Sequence, residues 1–158
     1  MWMPIIVAVG VAVFLGAAGG VMTPIGVWYR QLRKPRWQPP DWAFGPAWTI
    51  LLGLAAWAAI IAWRAADDSA TQRAIVIMFG VNALCHLLWS PLFFRLRRPD
   101  WALVEVVFLW VSLVVLVVGL WPISHTASAL IMPYLAWVSF AAILNATIVR
   151  LNRPFARG

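Results

Sequence analysis

Acidic side chains are scarce in this 158-residue chain, which holds five Asp and Glu against twelve Lys and Arg. Only 11% of its residues are charged, where a water-soluble domain carries about 25%. So few charges cannot clothe a soluble surface. The single cysteine, Cys85, excludes a disulfide scaffold. With only two histidines, His86 and His125, there is no clustered ligand set for structural zinc. A nucleotide-binding glycine loop, a Ser-His-Asp set and a pair of carboxylates are all missing, so hydrolytic and phosphoryl-transfer chemistry has no support. No Lys or Arg precedes the first apolar run, MWMPIIVAVGVAVFLGAAGG, which therefore reads as a retained helix rather than a cleaved signal peptide.

What the chain has is apolar surface and tryptophan. Hydrophobic residues make up 64% and Trp alone contributes twelve; mean hydropathy is +0.87. The net charge of +7 sits in short basic runs between long apolar stretches, a pattern that flanks lipid rather than nucleic acid. Runs of about 20 apolar residues cross a bilayer core, and five occur, at 4–22, 44–63, 74–94, 101–121 and 127–149. Backbone groups in lipid must be satisfied within the segment. The expected fold is an all-α integral membrane protein, one domain over 1–158, built as a five-transmembrane-helix bundle.

Five spans place the N-terminus with the second and fourth loops, and the first and third loops with the C-terminus. Arg64 and Arg73 fall in the first group, offset by Asp67 and Asp68. Arg30, Arg33, Lys34, Arg36, Arg95, Arg97, Arg98, Arg150, Arg153 and Arg157 fall in the second. For a bacterial inner membrane this positions the N-terminus outside and the C-terminus in the cytoplasm. The first loop, 23–43, is long for a compact bundle. Its prolines and indoles, Pro35, Trp37, Pro39, Pro40 and Trp42, mark an ordered cover over one end.

Polar residues within the spans are costly unless they face the bundle interior. Asn82, His86 and Trp89 share one helical face, as do Trp137, Ala141 and Asn145, and Trp101, Glu105 and Phe108. Taken singly, Asn82 and Asn145 read as interhelical hydrogen-bonding groups, and Glu105 reads as reaching toward Arg95 or Arg98. His86 lies 12 residues into its span from Ala74, about 18 Å deep. His125 is in the fourth loop, so the two histidines do not share one iron. Trp2, Trp28, Trp42, Trp48, Trp63, Trp101 and Trp121 lie near span ends, as interfacial belts do. Deeper indoles divide into Trp57 and Trp110, without polar neighbours on their faces, and Trp89 and Trp137, which have them. Gly16 and Gly20, extended by Ala12, allow close approach by the first helix.

Lys34-Pro35-Arg36-Trp37-Gln38-Pro39-Pro40-Asp41-Trp42, followed by Gly45-Pro46-Ala47-Trp48, resembles the signature of the translocator protein family, also called TspO/MBR or tryptophan-rich sensory proteins and formerly peripheral benzodiazepine receptors. Trp28-Tyr29, Trp89-Ser90-Pro91-Leu92-Phe93-Phe94, Trp101-Ala102-Leu103-Val104-Glu105, Pro133-Tyr134-Leu135-Ala136-Trp137 and Leu144-Asn145 agree with it. The resemblance implies a five-helix bundle, a homodimer, and a pocket under the first loop for porphyrins such as protoporphyrin IX or haem. In some members it implies a sterol or benzodiazepine-type drug as ligand. It implies no obligatory cofactor and no resident metal. Carried over by motif, Trp37, Trp48, Trp89, Trp101, Trp137 and Ala141 line the pocket, with Asn82, His86 and Asn145 as polar contacts.

Three departures stand out. Leu52 replaces a tyrosine that the family usually carries, Asn82 and His86 stand where Gln and Asn are usual, and no Tyr with a nearby Lys or Arg follows Asn145 as the sterol pattern requires. His86 thereby offers one axial position to a metalloporphyrin. The implied function is a receptor, sensor or transporter-like protein that modulates tetrapyrrole handling or stress responses. The alternatives are light- and oxygen-dependent porphyrin breakdown by an enzyme, and a scaffold with an incidental pocket.

Overall fold

A computed structural model describes residues 2–155; Arg157, one of the basic residues counted above, lies outside them. The elements in order are α1 (Met3–Met22), a short α2 (Val27–Gln31), α3 (Asp41–Ala65), α4 (Ser69–Ser90), a π-helical turn (Pro91–Arg95), α5 (Pro99–Leu120) and α6 (His125–Asn152). The protein is an all-α integral membrane protein in which five helices are long and apolar enough to cross a bilayer, α4 doing so together with its π turn.

The helices run past the apolar runs because polar caps extend them. Asp68 accepts from the backbone N–H of Ala70 at 2.7 Å and Thr71 at 2.8 Å, which starts α4 at Ser69 rather than 74. These bonds, led by those from Thr71, hold the Asp68 carboxyl below its ordinary value. Ser124 Oγ accepts from Ala127 N–H and starts α6 at His125 rather than 127. Pro99 opens α5 at the position where a missing N–H costs nothing. Asp41 opens α3, its charge next to the positive end of the helix dipole. The first loop is consequently shorter than 23–43 and contains α2. Proline supplies the π turn's entry, and its wider ladder closes with Leu96 N–H donating to the Pro91 carbonyl at 2.9 Å.

In the bundle, α5 packs along α4 and α6, α6 also packs along α3, and α1 lies against α3 and α4. The core is centred on Leu113, Leu116 and Leu120 of α5, Ile131 and Val138 of α6, and Ala58 and Ala62 of α3. Ser128 Oγ donates to the Val117 carbonyl at 2.6 Å across α5 and α6. Gly119 sits close to α4: a Cβ there would lie 2.6 Å from Met78 Sδ, and the Met78 side chain would have to shift. Helix α1 contributes only Leu15 to the buried set, and its Ile6, Val13 and Phe14 face outward. This peripheral helix leaves space between itself and the rest of the bundle.

Candidate functional site

That space is a cavity of about 480 Å³. Its α1 wall is Leu15 with Gly16, Gly19 and Gly20, and the three glycines add no side chains to fill it. Trp48, Thr49 and Leu52 come from α3, His86 and Trp89 from α4, and Trp137, Ala141 and Asn145 from α6. Phe93 and Phe94 reach it from the π turn. Tyr29, Gln38 and Asp41 close the end under the first loop.

Aromatic edges set the shape of the walls. Trp48 stands edge-on to His86 at 4.9 Å, to Tyr134 at 5.8 Å and to Trp137 at 6.3 Å between ring centroids. Trp89 stacks on Phe93 at 5.1 Å with the planes 25° apart. Phe44 is edge-on to Trp137 at 5.8 Å. Offset and edge-to-face pairs of this kind hold rings more firmly than area burial alone.

The polar groups on this surface are partly unpaired. Trp89 Nε1, Trp137 Nε1 and Gln38 Oε1 are buried and have no hydrogen-bond partner. A buried indole N–H ordinarily finds an acceptor, so these two donors and one acceptor are unsatisfied within residues that line the cavity. His86 Nδ1 lies 2.8 Å from the Tyr134 hydroxyl. No group of three or more His, Cys, Asp or Glu among the described residues is arranged to hold a metal ion.

Hydrogen bonds order the cover. The Tyr29 hydroxyl donates to Asp41 Oδ1 at 2.9 Å, and Gln38 Nε2 donates to the Tyr29 oxygen at 3.3 Å. The Lys34 ammonium sits 3.5 Å from the centre of the Tyr29 ring. Burial, reinforced by Asp41, pushes the Tyr29 phenol well above its ordinary value. The strap is tied to the end of α6 by Asn152, which accepts from Arg33 N–H at 2.8 Å and donates to the Arg33 carbonyl at 2.9 Å.

Of the residues singled out in the sequence, Trp48, His86, Trp89, Trp137, Ala141 and Asn145 are brought together on the cavity. Trp37, Trp101 and Asn82 lie off it. Trp37 is half exposed and packs edge-on to Phe140 at 5.8 Å. Trp101, also half exposed, lies beneath the Arg98 guanidinium at 4.4 Å. Asn82 turns toward α5 and donates to Ser112 Oγ at 2.9 Å. It shares a broad stripe with His86, but that stripe is split between a neighbouring helix and the cavity. Asn145, in the amide orientation that satisfies both ends, donates to the Pro99 carbonyl and accepts from Leu103 N–H, each at 3.1 Å. It ties α6 to the first turn of α5 while lining the cavity.

One local expectation is corrected. Glu105 does not reach toward Arg95 or Arg98: it is buried with both carboxylate oxygens unpartnered, and Arg98 instead pairs with Asp100 at 2.8 Å from Nε. Trp110, without polar neighbours on its own helical face, donates to Ser139 Oγ of the adjacent α6 at 2.9 Å. Tyr134, Tyr29, Gln38 and Asp41 were not singled out as site residues. Tyr134 lies three residues before Trp137 on the same helical face, which is the signal that points to it.

The TspO/MBR family profile matches residues 7–151. The chain is 37% identical to a tryptophan-rich protein TspO of Chlorobaculum tepidum over 91% of its length and 92% of that protein. It is 34% identical to a tryptophan-rich sensory protein of Cereibacter sphaeroides, covering 91% and 93% of the two chains. Identity to the translocator protein of Homo sapiens is 33%, covering 83% and 78%. A match over nearly the whole chain, on a five-helix membrane bundle with its aromatic cavity, places this protein in the TspO/MBR family.

Proposed function

We propose that the protein is a membrane receptor or sensor that takes a porphyrin, such as protoporphyrin IX, into the cavity beneath its first loop. The observation that carries this reading is a cavity of about 480 Å³, walled by Trp48, Trp89 and Trp137, in which two indole N–H groups lack acceptors. The volume lies within the roughly 300–1,000 Å³ of small-molecule sites. A flat aromatic macrocycle gains from stacking and area burial against such walls. Arg30, Arg33, Lys34 and Arg36 on the covering strap make that end of the molecule basic, which favours a ligand with peripheral carboxylates. Relatives named as sensory and translocator proteins support the same role.

Tryptophan-fluorescence quenching by protoporphyrin IX, with the protein in lipid nanodiscs, tests the proposal. Saturable quenching, weakened in Trp48→Ala and Trp137→Ala, is the expected result. Illumination of the complex should then leave the porphyrin spectrum unchanged, as a receptor requires; a Trp-dependent new absorbing product would make the protein an enzyme instead. Absence of saturable quenching would overturn porphyrin recognition altogether.

A further inference from the structure

The chemistry His86 offers to a guest depends on which ring nitrogen bears its proton. Nδ1 is turned to the Tyr134 hydroxyl at 2.8 Å. Nε2 has no partner among the described residues, and His86 lines the cavity, so Nε2 is the nitrogen left for a ligand. Tyr134 is 1% exposed, and its hydroxyl bonds to nothing else among the described residues. If Nδ1 carried the proton it would donate to the phenol oxygen, and the phenol proton would be stranded in a buried site. A stranded buried donor bears its full desolvation cost. If the phenol donates to Nδ1, both groups are satisfied by one bond.

We propose that Tyr134 is a positioning residue that donates to Nδ1 of His86 and holds His86 as an Nε2–H donor to the cavity. The cavity lining then holds His86 as an Nε2–H donor beside Trp89 and Trp137, whose indole N–H groups have no acceptor in the protein. The fitting ligand is rich in acceptors, such as carbonyl or carboxylate oxygens or unprotonated pyrrole-type nitrogens. Axial ligation of a metal-bearing tetrapyrrole does not fit: the Nε2 lone pair is taken up by its proton, and moving that proton to Nδ1 strands the hydroxyl proton of Tyr134. The tautomer is independent of any ligand, whereas the preference for a metal-free porphyrin rests on the function proposed above.

The direct test is ¹⁵N NMR of the imidazoles in the full-length, ligand-free protein in nanodiscs, at a mildly alkaline pH where histidine is neutral. The chain has two histidines, so His125→Gln isolates the signal of His86. A proton on Nε2 and a bare, hydrogen-bond-accepting Nδ1 is the expected result; a protonated Nδ1 overturns the proposal. The second test is titration with ferric haem, read by its Soret band. The wild-type spectrum should match that of His86→Ala, and Tyr134→Phe should gain a His86-dependent Soret shift with about tenfold tighter haem binding. A His86-dependent shift already present in the wild type would overturn the proposal. Failure of every porphyrin to bind would overturn the proposed function, while the ligand-free tautomer would still decide this one.

Discussion

Trp89 and Trp101 show how two indoles in motifs close in sequence come to differ in role. Trp89 lines the cavity with its N–H unpaired, whereas Trp101 faces outward beneath Arg98. Trp89→Phe keeps an aromatic face and removes only the donor. It should weaken protoporphyrin IX about tenfold, the worth of one good hydrogen bond, and Trp101→Phe should leave affinity unchanged; equal effects in a quenching titration would contradict the assignment. Helical spacing made the Trp137, Ala141 and Asn145 face legible in the sequence, and all three line the cavity. It did not separate Asn82 from His86, because a face one residue wide can meet a neighbouring helix on one side and open space on the other. The Ser112 partner of Asn82 lies 30 residues away, beyond the reach of local pattern.

The strap between α1 and α3 is the element on which access to the cavity depends. Its legible part is composition: prolines and indoles that argue for order. Its hidden part is the pairing of Tyr29 with Asp41 and of Arg33 with Asn152, contacts over 12 and 119 residues. Free tyrosine ionises near pH 10, and Tyr29 in the folded protein ionises above that. The folded form therefore holds a proton that the released strap would lose, so the stability contributed by Tyr29 is intact below about pH 10 and falls as pH rises past it. A spin label at Arg33→Cys, with Cys85→Ser, should become more mobile above about pH 10. Tyr29→Phe should lack that pH step, and a flat wild-type profile would count against the strap's dependence on this phenol.

For the whole molecule, five spans and the segregation of charge were readable from hydropathy and from the basic loops. The stand-off of α1 was not. In a membrane, the lipid-facing and core-facing sides of a helix are both apolar, and the Gly16 and Gly20 stripe that predicts close approach lines the cavity instead. The cavity is nevertheless placed at the basic end, beneath the strap bearing Arg30, Arg33, Lys34 and Arg36. In a bacterial inner membrane that end is expected to be cytoplasmic. In a Cys85→Ser background, a membrane-impermeant maleimide added to intact cells should label Asp67→Cys and spare Arg98→Cys; the reverse pattern would invert the orientation. The proposed function puts the porphyrin in this cavity rather than on the lipid-facing tryptophan surface. Gly16→Leu tests it most directly, because a Cβ at Gly16 meets only Leu52 Cδ1, at 3.8 Å, on the cavity wall. Titrated in parallel with protoporphyrin IX, the wild type should bind at one site per chain and Gly16→Leu should bind at least about tenfold more weakly at unchanged thermal stability. Unchanged affinity in Gly16→Leu would contradict the claim.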